Sequence, residues 1–229
     1  MMSYTKTILC LAASRRHRGY CFAGKDIETG EWIRPVSART NEEISVVECT
    51  TPSGTRAKLL DVLEIPLIRA VPRGYQTENY LIDPTKQWKK RGEASWQQVE
   101  EALDDHSGPL WLNESASWGF SRNRVSESSV DELHHSLVLI RPERLRISVG
   151  RKGGGYEGAD KRLVKAYISH AGVSYTLAVT DPAIEDRFRA GRDRIEEMTG
   201  AILCVSLGEI YHGYAYKLVA AVIEPPSGR

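Results

Sequence analysis

Short apolar runs separated by turn residues constrain this chain more than any other feature. In the second half, Val173, Tyr175, Leu177 and Val179 alternate with other residues, which is typical of a half-buried strand. Asp181 followed by Pro182 indicates a helix start, because Asp caps free amides and Pro loses no hydrogen bond at the first helical position. We predict that this helix ends at Gly200. The predicted strands of this half are residues 137–140 with 145–149, 163–169, 173–180, 201–207 and 214–223.

The second half is therefore predicted to contain three strands, one helix and two strands, which is the order of an OB fold. In the first half the same order needs a short helix within residues 41–47. The strands predicted there are residues 5–13, 19–24, 31–36, 59–71 and 78–82. We predict a mainly β fold with minor α content, made of two tandem OB-like β-barrels and a partly helical insertion.

This prediction divides the chain at two boundaries. Residues 1–83 form the first barrel, residues 84–130 the partly helical connector and residues 131–229 the second barrel. In the connector, Ser95 and Gln98 have the spacing of a capping box, which predicts a helix over residues 95–106.

Charge is balanced over the whole chain but not along it. The 229 residues carry 31 Lys and Arg against 30 Asp and Glu, a net charge of +1, far from the excess typical of many nucleic-acid binders. Residues 1–25 nevertheless contain five cations and no acidic residue. That segment is predicted to form a positive patch.

The N-terminal sequence and the cysteines indicate a cytoplasmic protein. The apolar run at residues 8–13 is too short for a signal peptide or a membrane span, so we expect no membrane association. The four cysteines are widely separated, and neither a zinc-site spacing nor a disulfide framework is recognisable. We expect buried thiols.

Several sequence strings resemble the bacterial dual OB-domain family. They are Leu11-Ala12-Ala13-Ser14-Arg15, residues 19–24, Trp32-Ile33-Arg34-Pro35-Val36, Thr180-Asp181-Pro182, residues 204–209 and residues 216–220. The resemblance covers nearly the whole chain, with residues 84–130 the least matched, and concerns strands and turns more than active-site residues. It implies a nucleic-acid-binding module by fold analogy, without an agreed enzymatic role.

The loops that OB folds use for oligonucleotides carry cations and aromatic rings in both halves. Cations neutralise phosphates, and aromatic faces stack on unpaired bases. The predicted phosphate contacts in the loops are Arg15, Arg16, Arg18, Arg73, Arg151, Lys152, Lys161 and Arg162. The predicted stacking residues are Tyr20, Tyr75, Tyr156, Tyr211 and Tyr214. Arg34 on a strand, and Arg122 and Arg124 in the connector, complete the predicted nucleic-acid-binding set.

Other interpretations of these residues stay open. Surface loops are commonly charged, tyrosines at strand ends often serve edge packing, and Trp32 fits a packing role. An accessory or regulatory subunit that binds a protein partner or a nucleotide is the first alternative function. A hydrolytic or transferase enzyme with an unrecognised site is the second.

The sequence favours binding over catalysis. Gly153-Gly154-Gly155 lacks the Lys and Ser or Thr of a P-loop, and His134 and His135 are adjacent, so in a strand they face opposite ways. Cys204 and His212 resemble a nucleophile and its base, but Cys204 lies in an apolar strand where a thiol is inert. We therefore expect no catalytic residues, no metal and no cofactor.

Overall fold

The computed structural model describes residues 3–16, 19–40, 42–117, 122–151 and 162–226, with the backbone alone at Arg16 and Arg151. The protein is mainly β, as predicted. The helices are α1 (Trp96–Glu101), α2 (Pro182–Arg189) and a 3-10 turn at Val130–Glu132. The strands are β1 (Tyr4–Arg16), β2 (Gly19–Asp26), β3 (Trp32–Val36), β4 (Asp61–Ala70), β5 (Asn79–Ile82), β6 (Lys89–Glu93), β7 (Arg124–Ser126), β8 (Leu137–Ile140), β9 (Arg144–Arg151), β10 (Arg162–His170), β11 (Val173–Val179), β12 (Arg194–Glu197), β13 (Ile202–Tyr211) and β14 (Tyr214–Ile223).

The chain forms two compact units. The first consists of residues 1–103 with residues 132–137, and the second of residues 104–131 with residues 138–229. The segment predicted as a connector is divided between them. β6 pairs with β4 of the first unit, whereas β7 pairs with β14 of the second. Strand pairing therefore assigns the two ends of this segment to different units.

The first unit contains a closed five-stranded barrel. Its strand order is β1-β2-β3-β5-β4, and β1 also pairs with β4, which closes the ring. β3 and β5 run parallel, while the other pairs in the ring are antiparallel. This is the OB topology, with β6 added beside β4.

A bulge lets one long strand serve both neighbours. Ile8 of β1 lies opposite Asp26 of β2 on one side and Leu63 of β4 on the other, and the register with β2 shifts between Cys10 and Ala12. Such a bulge bends a strand, as a closed barrel requires. At Gly24 the strands approach so closely that a Cβ would lie 2.2 Å from the carbonyl oxygen of Leu9. Only glycine fits there.

Apolar side chains fill this barrel. Ile8, Phe22, Ile33 and Leu63 are buried in one cluster with Trp88, whose ring meets that of Phe22 edge-on at 5.1 Å between centroids. Burial alternates at the start of β4, as the strand period requires. Full burial of such side chains stabilises the fold by about 1.5–3 kcal/mol each.

The second unit repeats the strand order with its first strand broken in two. β9-β10-β11-β14-β13 corresponds to β1-β2-β3-β5-β4, and β11 runs parallel to β14. Two strands of the second unit together take the position that β1 has in the first unit. Of these, β9 pairs with β10 and β8 pairs with β13. Pro142 lies between the two pieces and has no N–H group for a ladder, which explains the break.

Helix α2 follows β11, as predicted, but it is shorter. Asp181 caps it by accepting hydrogen bonds from the amides of Ala183 and Ile184 at 2.9 and 3.2 Å. The predicted end at Gly200 is wrong, because the helix ends at Arg189 and residues 194–197 form β12 on the edge of β9. Hydrogen bonding to the sheet outweighs the helical tendency there.

Two further helix predictions need correction. The capping box of Ser95 and Gln98 is confirmed, yet α1 ends at Glu101, and Asp104 is hydrogen-bonded to Leu139 through both its backbone and its carboxylate. No helix forms within the described part of residues 41–47. There Ile44 pairs with Tyr20, and a turn follows it. In both places strand contacts replace helical hydrogen bonds.

Asp181 joins two elements, so its loss is expected to be costly. Its second carboxylate oxygen accepts the buried amide of Val222 on β14 at 3.0 Å. Asp181→Ala removes the cap and leaves that amide unpaired, and should lower the free energy of unfolding by about 2–4 kcal/mol in urea titrations. Ser95→Ala removes an exposed cap and should cost about 1 kcal/mol. Equal losses in the two variants would contradict this role of Asp181.

Candidate functional site

Two loops of the first barrel attach to the same short segment, residues 42–44. The backbones of Tyr20 and Ile44 exchange hydrogen bonds of 2.8 and 2.9 Å, which anchors the β1–β2 hairpin. From the β4–β5 connection, the guanidinium of Arg73 lies 3.5 Å from a carboxylate oxygen of Glu42. Both loops therefore lie at one end of the barrel. We call the described residues of this region, 14–16, 19–20, 39–40, 42–56 and 71–78, the loop end.

The loop end carries a stacked pair of Tyr20 and Arg56. The guanidinium carbon lies 4.5 Å from the ring centroid, and the guanidinium donates a hydrogen bond to the Tyr20 hydroxyl. Tyr20 also packs against the barrel core, so its ring is held between the core and the arginine. This placement differs from the open stacking face that we predicted. Tyr20 orients a cation instead.

Three more described cations belong to the loop end. Arg15 is exposed at the end of β1. The side chain of Arg39 is 48% exposed with a guanidinium nitrogen 4.0 Å from Glu48, and that of Arg73 is 64% exposed. Of the other predicted residues in the hairpin, Arg18 and the side chain of Arg16 lie outside the described residues.

Two predicted residues of the first unit face inward and leave the candidate set. Tyr75 is only 6% exposed, so its ring offers no face to a base. The Arg34 guanidinium lies 3.3 Å from a carboxylate oxygen of Glu78 and donates to the Ser136 hydroxyl at 2.8 Å. With 13% of its side chain exposed, Arg34 serves an internal ion pair rather than a phosphate.

The β9–β10 loop of the second unit is only partly described. Lys152, Tyr156, Lys161 and the side chain of Arg151 lie outside the described residues. Arg162 is described, and its guanidinium donates to the carbonyl of Arg189 at 2.8 Å and pairs with Asp193 at 2.7 Å. Its cation is therefore engaged within the unit, which argues against the predicted phosphate contact.

The β13–β14 hairpin brings three predicted residues together. Its two-residue turn has positive φ at His212 and Gly213, the signature of a type I′ turn. Tyr211 and Tyr214 face each other across the strands, and Tyr211 is 65% exposed. The Arg124 guanidinium carbon lies 3.8 Å from the Tyr214 ring centroid. Close by in sequence, Arg122 is half-buried with a positive φ.

Sequence reasoning missed a second group of candidate residues in this unit. On the outer face of the sheet, Tyr167 of β10 lies opposite Arg146 of β9, with the guanidinium carbon 5.9 Å from the ring centroid. Arg144 and Lys165 occupy outward positions of the same two strands. We call these four residues the Tyr167 face. OB folds bind ligands on the face of strands two and three, and β10 occupies the position of strand two.

A period-two pattern would have revealed this face. Arg144 and Arg146 alternate with the buried Leu145 and Ile147, and Tyr167 lies between buried neighbours. The prediction concentrated on loops, and loops alone do not show which side of a strand is open.

A buried lysine anchors the segment beside the β13–β14 hairpin. The Lys217 side chain is 1% exposed, and its ammonium donates to the carbonyl of Leu112 at 2.7 Å and to Asn113 at 2.8 Å. Its backbone amide donates to the carbonyl of Asn123, next to Arg124. Burial lowers the pKa of Lys217 to about 7, and Glu114 opposes this shift.

The cysteines have the environment of structural thiols. Burial raises the pKa of Cys49 to about 11, so its thiol stays protonated at neutral pH. Cys204 is fully buried in β13. Among the described residues, no three His, Cys, Asp or Glu side chains are grouped as metal ligands.

The strand orders of the two units define an OB-fold protein. The sequence model of the dual OB-containing domain family matches residues 6–222, and the chain belongs to that family. The predicted resemblance is thus confirmed. No curated protein sequence matches the chain significantly. Within the described part of the chain, every helix is too short or too polar to cross a membrane.

The shifted pKa of Lys217 predicts a pH dependence of stability. The unfolded chain, with a pKa near 10.5, binds the proton more tightly than the folded state, with a pKa near 7. Stability should therefore rise with pH between these values, by at most about 1.4 kcal/mol per pH unit.

Urea titrations across this pH window test the expected slope. Lys217→Met should remove it, whereas Lys165→Met, on the outer face of β10, should keep it. A slope that persists in Lys217→Met would contradict the assignment.

Proposed function

We propose that this protein is a nucleic-acid-binding module that holds single-stranded or structured DNA or RNA with little base specificity. The observation that carries the proposal is the loop end, where two loops meet on residues 42–44 and present Arg15, Arg39, Arg56 and Arg73. Guanidiniums on neighbouring loops supply the cations that neutralise phosphates along a backbone.

The ion pairs at the loop end leave these arginines able to exchange partners. Arg39 and Arg73 lie 4.0 and 3.5 Å from their carboxylates, and their side chains are 48% and 64% exposed. Exposed pairs of this kind contribute about 0–1 kcal/mol. A phosphate, with several acceptor oxygens and bidentate geometry for Arg, competes well with such a partner.

The aromatic residues of the second unit support contact with unpaired bases. Tyr211 at the hairpin tip and Tyr167 on the sheet are exposed, and each lies near a cation or a second ring. Stacking on a tyrosine contributes about 1–3 kcal/mol per base and tolerates any sequence, because every base has a π face. This favours binding with little base readout.

We further infer that the protein acts in the cytoplasm. All four cysteines are free thiols, and three of them are buried. This is the state expected in a reducing compartment.

Oligonucleotide titration by fluorescence anisotropy tests the proposal. The triple variant Arg15→Ala, Arg39→Ala, Arg56→Ala removes three cations of the loop end. We expect single-strand affinity to fall about tenfold or more, because hydrogen bonds to charged groups contribute about 1.5–3 kcal/mol each. Each lost phosphate contact should reduce the salt slope by about 0.7, so the slope should fall by about two.

A matched control removes the same charge elsewhere in the first unit. Lys86→Ala, Lys89→Ala, Arg91→Ala changes exposed cations on and before β6, which lie outside the loop end. This variant should bind nearly as the parent protein does. If both triple variants lose affinity equally, the attraction is diffuse and the loop end is not the site. Absence of binding at low salt would refute the function.

A further inference from the structure

Two adjacent valines are exposed in a turn at the loop end. Val46 is 51% exposed and Val47 is 82% exposed. Single exposed apolar residues are common in proteins and need no explanation. Two neighbours at the apex of a turn beside Arg39 and Arg56 are a different arrangement, and their surroundings indicate a role. We call residues 45–50 the valine turn.

The valine turn is held in one conformation. Ser45 donates to the carboxylate of Glu48 from its amide at 2.8 Å and from its hydroxyl at 2.7 Å. Thr50 donates from its hydroxyl to the carbonyl of Val46 at 2.6 Å. Burial acts to raise the pKa of Glu48, but hydrogen bonds from Ser45 and Ser37 outweigh it and hold that pKa below its usual range. The carboxylate therefore stays ionised and the turn stays closed.

Two cations adjoin the valine turn, because Arg39 lies 4.0 Å from the Glu48 carboxylate and Arg56 pairs with Thr50. Ile44, just before it, pairs with Tyr20, and Thr50 at its end pairs with Arg56. Tyr20 and Arg56 stack on each other, so the two ends of the turn are tied to one stacked pair. The valines therefore project from a base that carries Arg56.

We propose that Val46 and Val47 form an apolar wedge that inserts between neighbouring bases of a bound nucleic acid. The inference rests on the proposed function, since Arg39 and Arg56 would hold the phosphates on either side. Valine side chains are stiff about χ1, and inserted apolar side chains, such as Ile, Leu and Pro, separate base steps in proteins that kink nucleic acids.

The preferred partner is a junction between duplex and single strand. A base step at a junction has already lost stacking and pairing on one side, so opening it costs less than opening a step inside a duplex. A stiff apolar tip between cations suits that position, because the phosphates bind the arginines while the bases meet the valines. The valine turn therefore favours a base step that has already lost part of its stacking.

A junction oligonucleotide with 2-aminopurine at the last paired position tests the wedge. The fluorescence of this base analogue rises when it loses stacking. Binding of the parent protein should raise the fluorescence severalfold. The double variant Val46→Ser, Val47→Ser should bind with affinity within about threefold of the parent but lose most of that rise, with an unchanged melting temperature.

Ile27→Ser is the matched control. It changes another exposed apolar residue of the first unit, 56% exposed, between β2 and β3. This variant should keep the full fluorescence rise. If the serine double variant keeps it as well, or if the parent binds without any rise, the wedge is refuted while the proposed function stands.

Two other outcomes are informative in different ways. If the parent protein binds no oligonucleotide in anisotropy titrations, the proposed function itself fails and the wedge fails with it. A lipid surface is the competing partner for the two valines. Vesicles of phosphatidylcholine and phosphatidylserine test this alternative by sedimentation. If the protein sediments with them only when both valines are present, and the oligonucleotide shows no fluorescence change, the inference is overturned.

Discussion

The pairing of β1 with two neighbours is the constraint on which the first barrel depends. Ile8 lies in the hydrogen-bonded ladders of β2 and β4 at once, and the bulge after Cys10 bends the strand between them. Closure removes sheet edges around the ring and fixes where each loop emerges. The β1–β2 and β4–β5 loops then meet residues 42–44 at one end. Closure of the first barrel therefore brings together the loops that form the candidate site.

Charge placement matters more here than charge balance. Lys6 pairs with the buried Asp26, so part of the cationic N-terminal segment serves the fold, and Arg34 likewise pairs with Glu78. At the loop end, Arg39 and Arg73 lie 4.0 and 3.5 Å from their carboxylates. Arg56 stacks on the Tyr20 ring instead. A chain with a net charge of +1 can thereby present a locally positive surface.

The sequence predicts the fold well because its signals are local. Alternation in β11, the Asp181 cap and the Ser95 capping box each depend on residues close together in the chain, and the structure confirms all three. The errors concern long-range competition. The predicted helix that continued to Gly200 is replaced by β12, because residues 194–197 find partners on β9. Local propensity cannot show such a partner.

The candidate site was less predictable for the same reason. Loop positions identify Arg15, Arg73 and Tyr211 as accessible, but residue type does not reveal that Tyr75 turns inward. Arg56 is distant in sequence from the β1–β2 loop and contacts it through Tyr20. Finding that contact requires the three-dimensional arrangement.

Backbone amide mapping by NMR tests the central claim most directly. On titration of the ¹⁵N-labelled protein with a single-stranded oligonucleotide, the account predicts chemical-shift changes concentrated at Gly19, Tyr20, residues 44–50 and Arg56. The amides of α1 and β6 should stay unchanged. Changes confined to α1 and β6, or no changes at saturating oligonucleotide, would contradict the account.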